Sequence, residues 1–247
     1  MNTLRINLWS GPRNVSTALM YSFAQRADTR VIDEPLYAHY LRVSGADHPG
    51  REEVLAVLDS DGERVVRDVI LGPCDRPVLF LKQMAHHLVG LDRSFLGQTA
   101  HVLLTRDPRE MLASLAKQLP VPALADTGLE VQVDLLHEWR RAGLDPPVVD
   151  ARELLFDPPA VLRTLCDRLD LAFDPAMLHW PAGPKPYDGV WAKYWYAAAH
   201  RSGGFQPYQP KDEPLPTRLR PLLDACLPYY ETLRAVSIRA GRSRPSR

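Results

Sequence analysis

Two hydroxyls, a guanidinium and a glycine are packed into Gly11-Pro12-Arg13-Asn14-Val15-Ser16-Thr17, directly ahead of apolar residues spaced four apart at Val15, Leu19 and Phe23. A helix opening at this point presents unsatisfied backbone N–H groups beside the Arg13 side chain, an arrangement that holds anions. The phosphate loop of nucleoside-triphosphate enzymes, G-x-x-x-x-G-K-[ST], is the obvious comparison, and this segment fails it. With Thr17 as the final hydroxyl, Val15 and Ser16 stand where the second glycine and the lysine belong. An ordinary strand–turn–helix capped by Asn14 or Ser16 uses the same residues. The loop alone leaves both readings open.

Three further clusters carry charge or titrate. They are Asp33-Glu34, then Lys82 with His86-His87 close behind, then Arg106 with Ser114 eight residues later. Adjacent carboxylates raise one another's pKa, which makes Glu34 a candidate general base. His86 or His87, with an intrinsic pKa near neutrality, is the alternative. Asp33 also reads as a loop or cap carboxylate, and His87 as an ordinary helix histidine. Lys82 is one of only five lysines in a chain with 25 arginines. A compact ammonium suits a reacting oxygen.

Each cluster follows a short β-rich run. The runs are Ile6–Trp9, Thr29–Ile32, Pro77–Leu81 and His101–Leu104, with a weaker fifth at Pro147–Val149. Helical patterns lie between them: one over Pro108–Lys117, and a long amphipathic one over 126–143 with Leu129, Val133 and Leu136 on one face. Short buried runs alternating with helices predict an α/β fold around a central, mostly parallel five-stranded sheet flanked by helices. Ligands bind at the carboxyl ends of such strands, where all four clusters fall. An aromatic, Pro-rich stretch follows about residue 185, in which Trp191-Ala192-Lys193-Tyr194-Trp195-Tyr196 reads equally as a pocket wall or as core. A last helix is expected around 215–237. The predicted organisation is one domain over 1–238 and a basic, flexible tail over 239–247.

Taken together, these residues resemble the sulfotransferase superfamily. Gly11, Arg13, Ser16 and Thr17 match the G-x-x-R-x-x-[ST]-[ST] loop of its carbohydrate and bacterial branches. Arg106 and Ser114 match its Arg-then-Ser motif for a 3′-phosphate, Lys82 its lysine after the third strand, and Glu34-Pro35 the bacterial Glu-Pro step. Arg201-Ser202-Gly203-Gly204-Phe205 is similar to its C-terminal phosphate loop. The resemblance spans roughly residues 5–205 and implies a three-layer, P-loop NTPase-like fold. It implies transfer of a sulfuryl group from 3′-phosphoadenosine 5′-phosphosulfate, which leaves as 3′,5′-ADP, to a hydroxyl of a small-molecule acceptor, with no metal required. The implied catalytic set is Glu34, Lys82, His86 and Arg13. Residues Gly11 to Thr17, with Arg106, Ser114 and Arg201–Gly204, are implied to hold the donor; from its place in the aromatic stretch, Lys193 joins Arg201 as a candidate for the 3′-phosphate. Val15 stands where many relatives have glycine, and Ala18 where the cytosolic branch stacks a tryptophan on adenine. Two rival readings stand beside it: a nucleotide-dependent kinase of the same fold, and a nucleotide-binding domain without turnover.

Composition narrows the classes. Thirty basic and thirty acidic residues cancel, unlike a dedicated nucleic-acid binder. No apolar run is long enough to span a bilayer and no signal-peptide pattern opens the chain, so a cytoplasmic protein without membrane partners is expected. Cys74, Cys166 and Cys226 are odd in number and scattered, which predicts thiols rather than disulfides or a zinc site. His137-Glu138 lacks the second histidine of a zincin motif, because Arg141 occupies that place. A homodimer is compatible with the sequence, which does not specify oligomeric state.

Overall fold

In the computed structural model, which describes residues 3–119, 121–210 and 215–241, five parallel strands form one sheet. They are β1 (Leu4–Ser10), β2 (Thr29–Asp33), β3 (Val78–Met84), β4 (Ala100–Thr105) and β5 (Val148–Asp150), in spatial order β2-β3-β1-β4-β5. Every predicted run is a strand, and every pairing is parallel. Long crossovers are obligatory between parallel strands, and here they carry α1 (Ser16–Phe23), α2 (Tyr37–Ser44), α3 (Pro108–Leu115) and α4 (Leu129–Arg141). After β5 come α5 (Pro158–Arg168) and α6 (Arg220–Ala235).

Strand alternation divides the core in two. Ile6, Leu8, Phe80, Val102 and Leu104 face α1 and α5, packing on Leu19, Phe23, Leu162 and Leu165. Trp9, Leu79, Leu81 and Leu103 face the opposite way, onto Leu112 of α3, Leu136 of α4 and Leu233 of α6. Both faces of the sheet are therefore covered, which is why its strands read as nearly continuous apolar runs. The same alternation places Lys82 on the Val78–Phe80 face. Asp33 lies directly beside it in register across the β2–β3 pairing.

Several elements differ from expectation. The helix predicted over 126–143 is broken: a short helix Leu124–Thr127 stops at Gly128, and α4 begins at Leu129. Gly128 has φ 67°, a left-handed conformation that glycine adopts without strain. The last helix is α6, preceded by a 3₁₀ turn at Thr217–Leu219. Residues between α2 and β3 form short helical pieces that periodicity did not reveal. At the start of the predicted tail, Arg239 ion-pairs with Glu153 at 3.2 Å. Residues 242–247 lie outside the described residues. Among the described residues the three cysteines are free thiols, and no helix is long and apolar enough to cross a membrane.

Candidate active site

The loop after β1 turns sharply into α1. Its left-handed residue is Arg13 (φ 53°), whereas Val15 has φ −88° and takes an ordinary conformation. A β-branched residue is therefore tolerated where relatives carry glycine. Gly11 is needed for close approach: a Cβ there would lie 2.4 Å from the Thr127 carbonyl oxygen. Asn14 accepts from the Val15 N–H (2.8 Å) and donates to the Leu104 carbonyl (3.0 Å), tying the loop to β4. Neither Asn14 nor Ser16 caps α1, whose N-cap residue Val15 offers no side-chain acceptor. The helix start is left to an incoming anion or to solvent.

Around this loop two guanidiniums converge. Arg13 donates to Ser114 Oγ (3.0 Å) and to the Trp195 carbonyl (3.1 Å). Arg106 donates to the Arg13 carbonyl (2.9 Å) and pairs with Glu110 (2.8 Å). Burial, and next the charge of Arg106, lower the pKa of Arg13. Two cations held together, with the partners of Arg13 all neutral, form a site that a polyanion would relieve. An anionic ligand fits these residues on that ground.

Beside it, at the ends of β2 and β3, lies a buried ionic network. Lys82 is fully buried and donates to Asp33 (2.9 Å), to Glu34 and to Tyr196 Oη (2.6 Å). Tyr196 Oη also reaches both Asp33 oxygens (2.9 and 2.8 Å) and accepts from Trp191 Nε1 (3.1 Å). Glu34 has φ 40°, and its N–H is anchored on the Lys82 carbonyl at 2.8 Å. Burial pulls the Lys82 pKa down, but Asp33 and Glu34 outweigh it and hold the ammonium above its usual value. Burial pushes the Glu34 carboxyl up; Lys82 opposes this, and Asp33 adds to it. Two carboxylates face one ammonium, and burial and the Asp33 neighbour make Glu34 hold a proton more tightly.

One cavity of about 300 Å³ joins the two assemblies. Pro12 to Thr17, Glu34, Lys82, His86, Arg106, Ser114, Ser202 and Gly204 line it. Gly11 stands behind the loop. Arg201 is exposed and outside the lining, and Gly203 uses its carbonyl to accept from Trp180 N–H (3.1 Å). Lys193 points away and pairs with Glu53 at 2.7 Å. His86 is half-buried, and its pKa is pushed down to about 3 by burial and then by His48. His87 stacks between Tyr37 (5.0 Å) and Tyr40 (4.7 Å). The aromatic stretch serves both alternatives: Trp191 and Tyr196 are core, and together with Trp195 they also wall the cavity. Sequence reasoning missed the site roles of Tyr37, His48 and Asp126, and the contact of Tyr196 with Lys82. Only Tyr37, three residues after Glu34, had a positional signal. Among the described residues no metal-ligating cluster is present.

The model of the family described as "Sulfotransferase domain" matches residues 4–237. The chain belongs to the sulfotransferase domain family. Two solved structures share the fold of this chain. The sulfotransferase domain from the Synechococcus PCC 7002 olefin synthase superposes with a TM-score of 0.52 at 20% identity, over 91% of this chain and 94% of that one. The sulfotransferase from Alicyclobacillus acidocaldarius gives 0.51 at 11% identity, over 96% and 98%. Two Arabidopsis thaliana proteins, branched-chain-amino-acid aminotransferase-like proteins 2 and 1, are each 42% identical over 93% of this chain. The chain spans about two-fifths of the length of these relatives, 41% in each case.

Proposed function

We propose that this sulfotransferase transfers a sulfuryl group from 3′-phosphoadenosine 5′-phosphosulfate to a hydroxyl of a small molecule, with residues 1–238 as the catalytic unit. The observation that carries the reading is the single cavity shared by Arg13, Arg106 and Ser114 on one side and by Glu34 and Lys82 on the other. The donor, when bound, supplies the sulfuryl group and a strongly anionic leaving bisphosphate. Arg13 and the open start of α1 suit the phosphosulfate end, because fixed N–H dipoles and a half-buried cation need no reorganisation to meet it. Arg106 and Ser114 suit a 3′-phosphate.

Glu34 is the base in this reading. Lys82 and Tyr196 engage its Oε1, so Oε2 is the oxygen for the acceptor proton. A carboxyl raised toward the working pH is a better base than an ordinary one. Lys82 favours the ionised form against burial and offsets charge near the reacting oxygen. His86, pushed down to about 3, is neutral and suits a hydrogen bond to the acceptor rather than proton abstraction. With labelled donor and an acceptor panel, Glu34→Gln is expected to lower turnover by about 10²-fold or more while 3′,5′-ADP affinity stays within about threefold. Near-normal turnover in Glu34→Gln, with loss in His86→Asn, would move the base to His86.

A further inference from the structure

We infer that the acceptor is a compact alcohol bearing a cationic nitrogen, held between aromatic rings and Asp126 in the lobe of the cavity that Tyr37, His48, Trp191 and Trp195 wall. This inference rests on the sulfuryl-transfer reading and adds the chemical class of the acceptor. Beyond Glu34 the cavity walls change character. Tyr37, Trp191 and Trp195 line it with His48, whose ring lies 5.9 Å from that of Tyr37 and 6.1 Å from that of Trp195. Aromatic faces grouped in this way attract cations, quaternary ammonium above all.

Acidic groups gather around those rings, and the cation against them is Arg13, 6.0 Å from the Trp195 ring, on the donor side. Asp126 lines the lobe, and its charge is felt at Tyr40 and His48. Glu34, one of the two carboxyl groups that share Lys82, faces the same space. The open groove that adjoins the cavity at His48 and Leu119 carries Asp47, with Glu52 paired to Arg51 and Glu53 to Lys193. Burial keeps His86 and His87 from adding positive charge. An anionic acceptor would meet these carboxylates, with Lys82 already held by Asp33 and Glu34 and with Arg13, 6.0 Å from the Trp195 ring, taken up by the donor in the sulfuryl-transfer reading. His87, only 1% exposed, lines the cavity with no hydrogen-bond partner for Nδ1 among the described residues. That atom can accept from a hydroxyl. A cavity of about 300 Å³ lies at the small end of ligand sites, and the donor must share it, so the acceptor is small.

In the transfer the acceptor oxygen forms the new bond to sulfur and its proton passes to Glu34. The bond from sulfur to the 5′-phosphate oxygen breaks, and its electron pair leaves with 3′,5′-ADP. The sulfated product is then a zwitterion, which no longer carries the net positive charge that drew the alcohol in.

The test compares choline with its uncharged isostere 3,3-dimethylbutan-1-ol and with the anion glycolate, using labelled donor. The expected kcat/KM for choline exceeds that of the isostere at least tenfold, and glycolate is not sulfated. Asp126→Asn, and separately Trp195→Leu, should each narrow the choline-to-isostere ratio about fivefold; two variants guard against misfolding of one. Equal or better use of the isostere overturns the inference while leaving sulfuryl transfer intact. If no probe turns over although 3′,5′-ADP binds, titration of choline and of the isostere into that complex decides, and no preference for choline overturns the inference. Failure to bind 3′,5′-ADP at all would sink the sulfuryl-transfer reading itself.

Discussion

Glu34 and Lys82 account for each other's burial. Removing one partner from a buried ion pair costs about 3–5 kcal/mol, because the other is left uncompensated. Lys82→Met should therefore destabilise the fold by about that amount in denaturant titrations, with Asp33 and Glu34 both left in a dry site. Adding Asp33→Asn to it should recover part of the loss. Glu34→Gln should do the reverse, and the sign follows from linkage. The folded-state pKa of Glu34 is raised, so the native protein holds this proton more tightly than the unfolded chain. The stability this group contributes is fully present below the ordinary carboxyl value of 4.5 and is lost as pH rises through the folded value. The variant should accordingly melt above wild type at pH 8, and the difference should close near pH 4. A wild type that melts higher than Glu34→Gln at pH 8 would mean that Lys82 stabilises the carboxylate more than burial penalises it.

At the scale of elements, the loop after β1 and the break at Gly128 are one feature. Gly11 passes against the Thr127 carbonyl, so the turn that ends Leu124–Thr127 sets the position of the anion loop. Gly11→Ala should weaken 3′,5′-ADP binding at least tenfold by displacing that contact, whereas Val15→Gly should leave affinity nearly unchanged, since Val15 already has an unstrained φ. Calorimetric titration of the two variants checks both. The strand ends were legible in the sequence because a parallel sheet collects its functional groups at one edge, and each of the four clusters follows an apolar run. The break at Gly128 was not, because Leu129, Val133 and Leu136 keep their helical spacing downstream and the apolar pattern hides the turn. The left-handed position fell on Arg13 rather than Val15, since the loop turns two residues earlier than the glycine of relatives suggested. His48 and Asp126 lie on connections far from any strand end in sequence. Only tertiary packing brings them to the cavity, so no local spacing could announce them.

Across the whole molecule, the histidines make the fold acid-sensitive. His101 stacks on Trp139 at 4.0 Å, accepts from Trp9 Nε1 (3.2 Å) and donates to the Leu96 carbonyl (2.9 Å), so the neutral ring uses both nitrogens. Burial pushes its pKa down to about 4, and His86 and His87 are lowered too. The stability tied to these neutral rings is present above pH 6.5 and is lost as pH falls toward 4. Thermal midpoints should drop across that window, and His101→Gln should flatten the slope.

The account as a whole stands on the donor. Arg106 and Ser114 share a cavity wall, and a charge-assisted hydrogen bond to a 3′-phosphate contributes about 1.5–3 kcal/mol. Calorimetric titration of the wild-type chain should give at least tenfold tighter binding of 3′,5′-ADP than of 5′-ADP, and Arg106→Ala should remove most of that preference while changing 5′-ADP affinity little. Equal affinity for the two nucleotides in the wild type, or equal loss of both in Arg106→Ala, would contradict a 3′-phosphorylated sulfuryl donor.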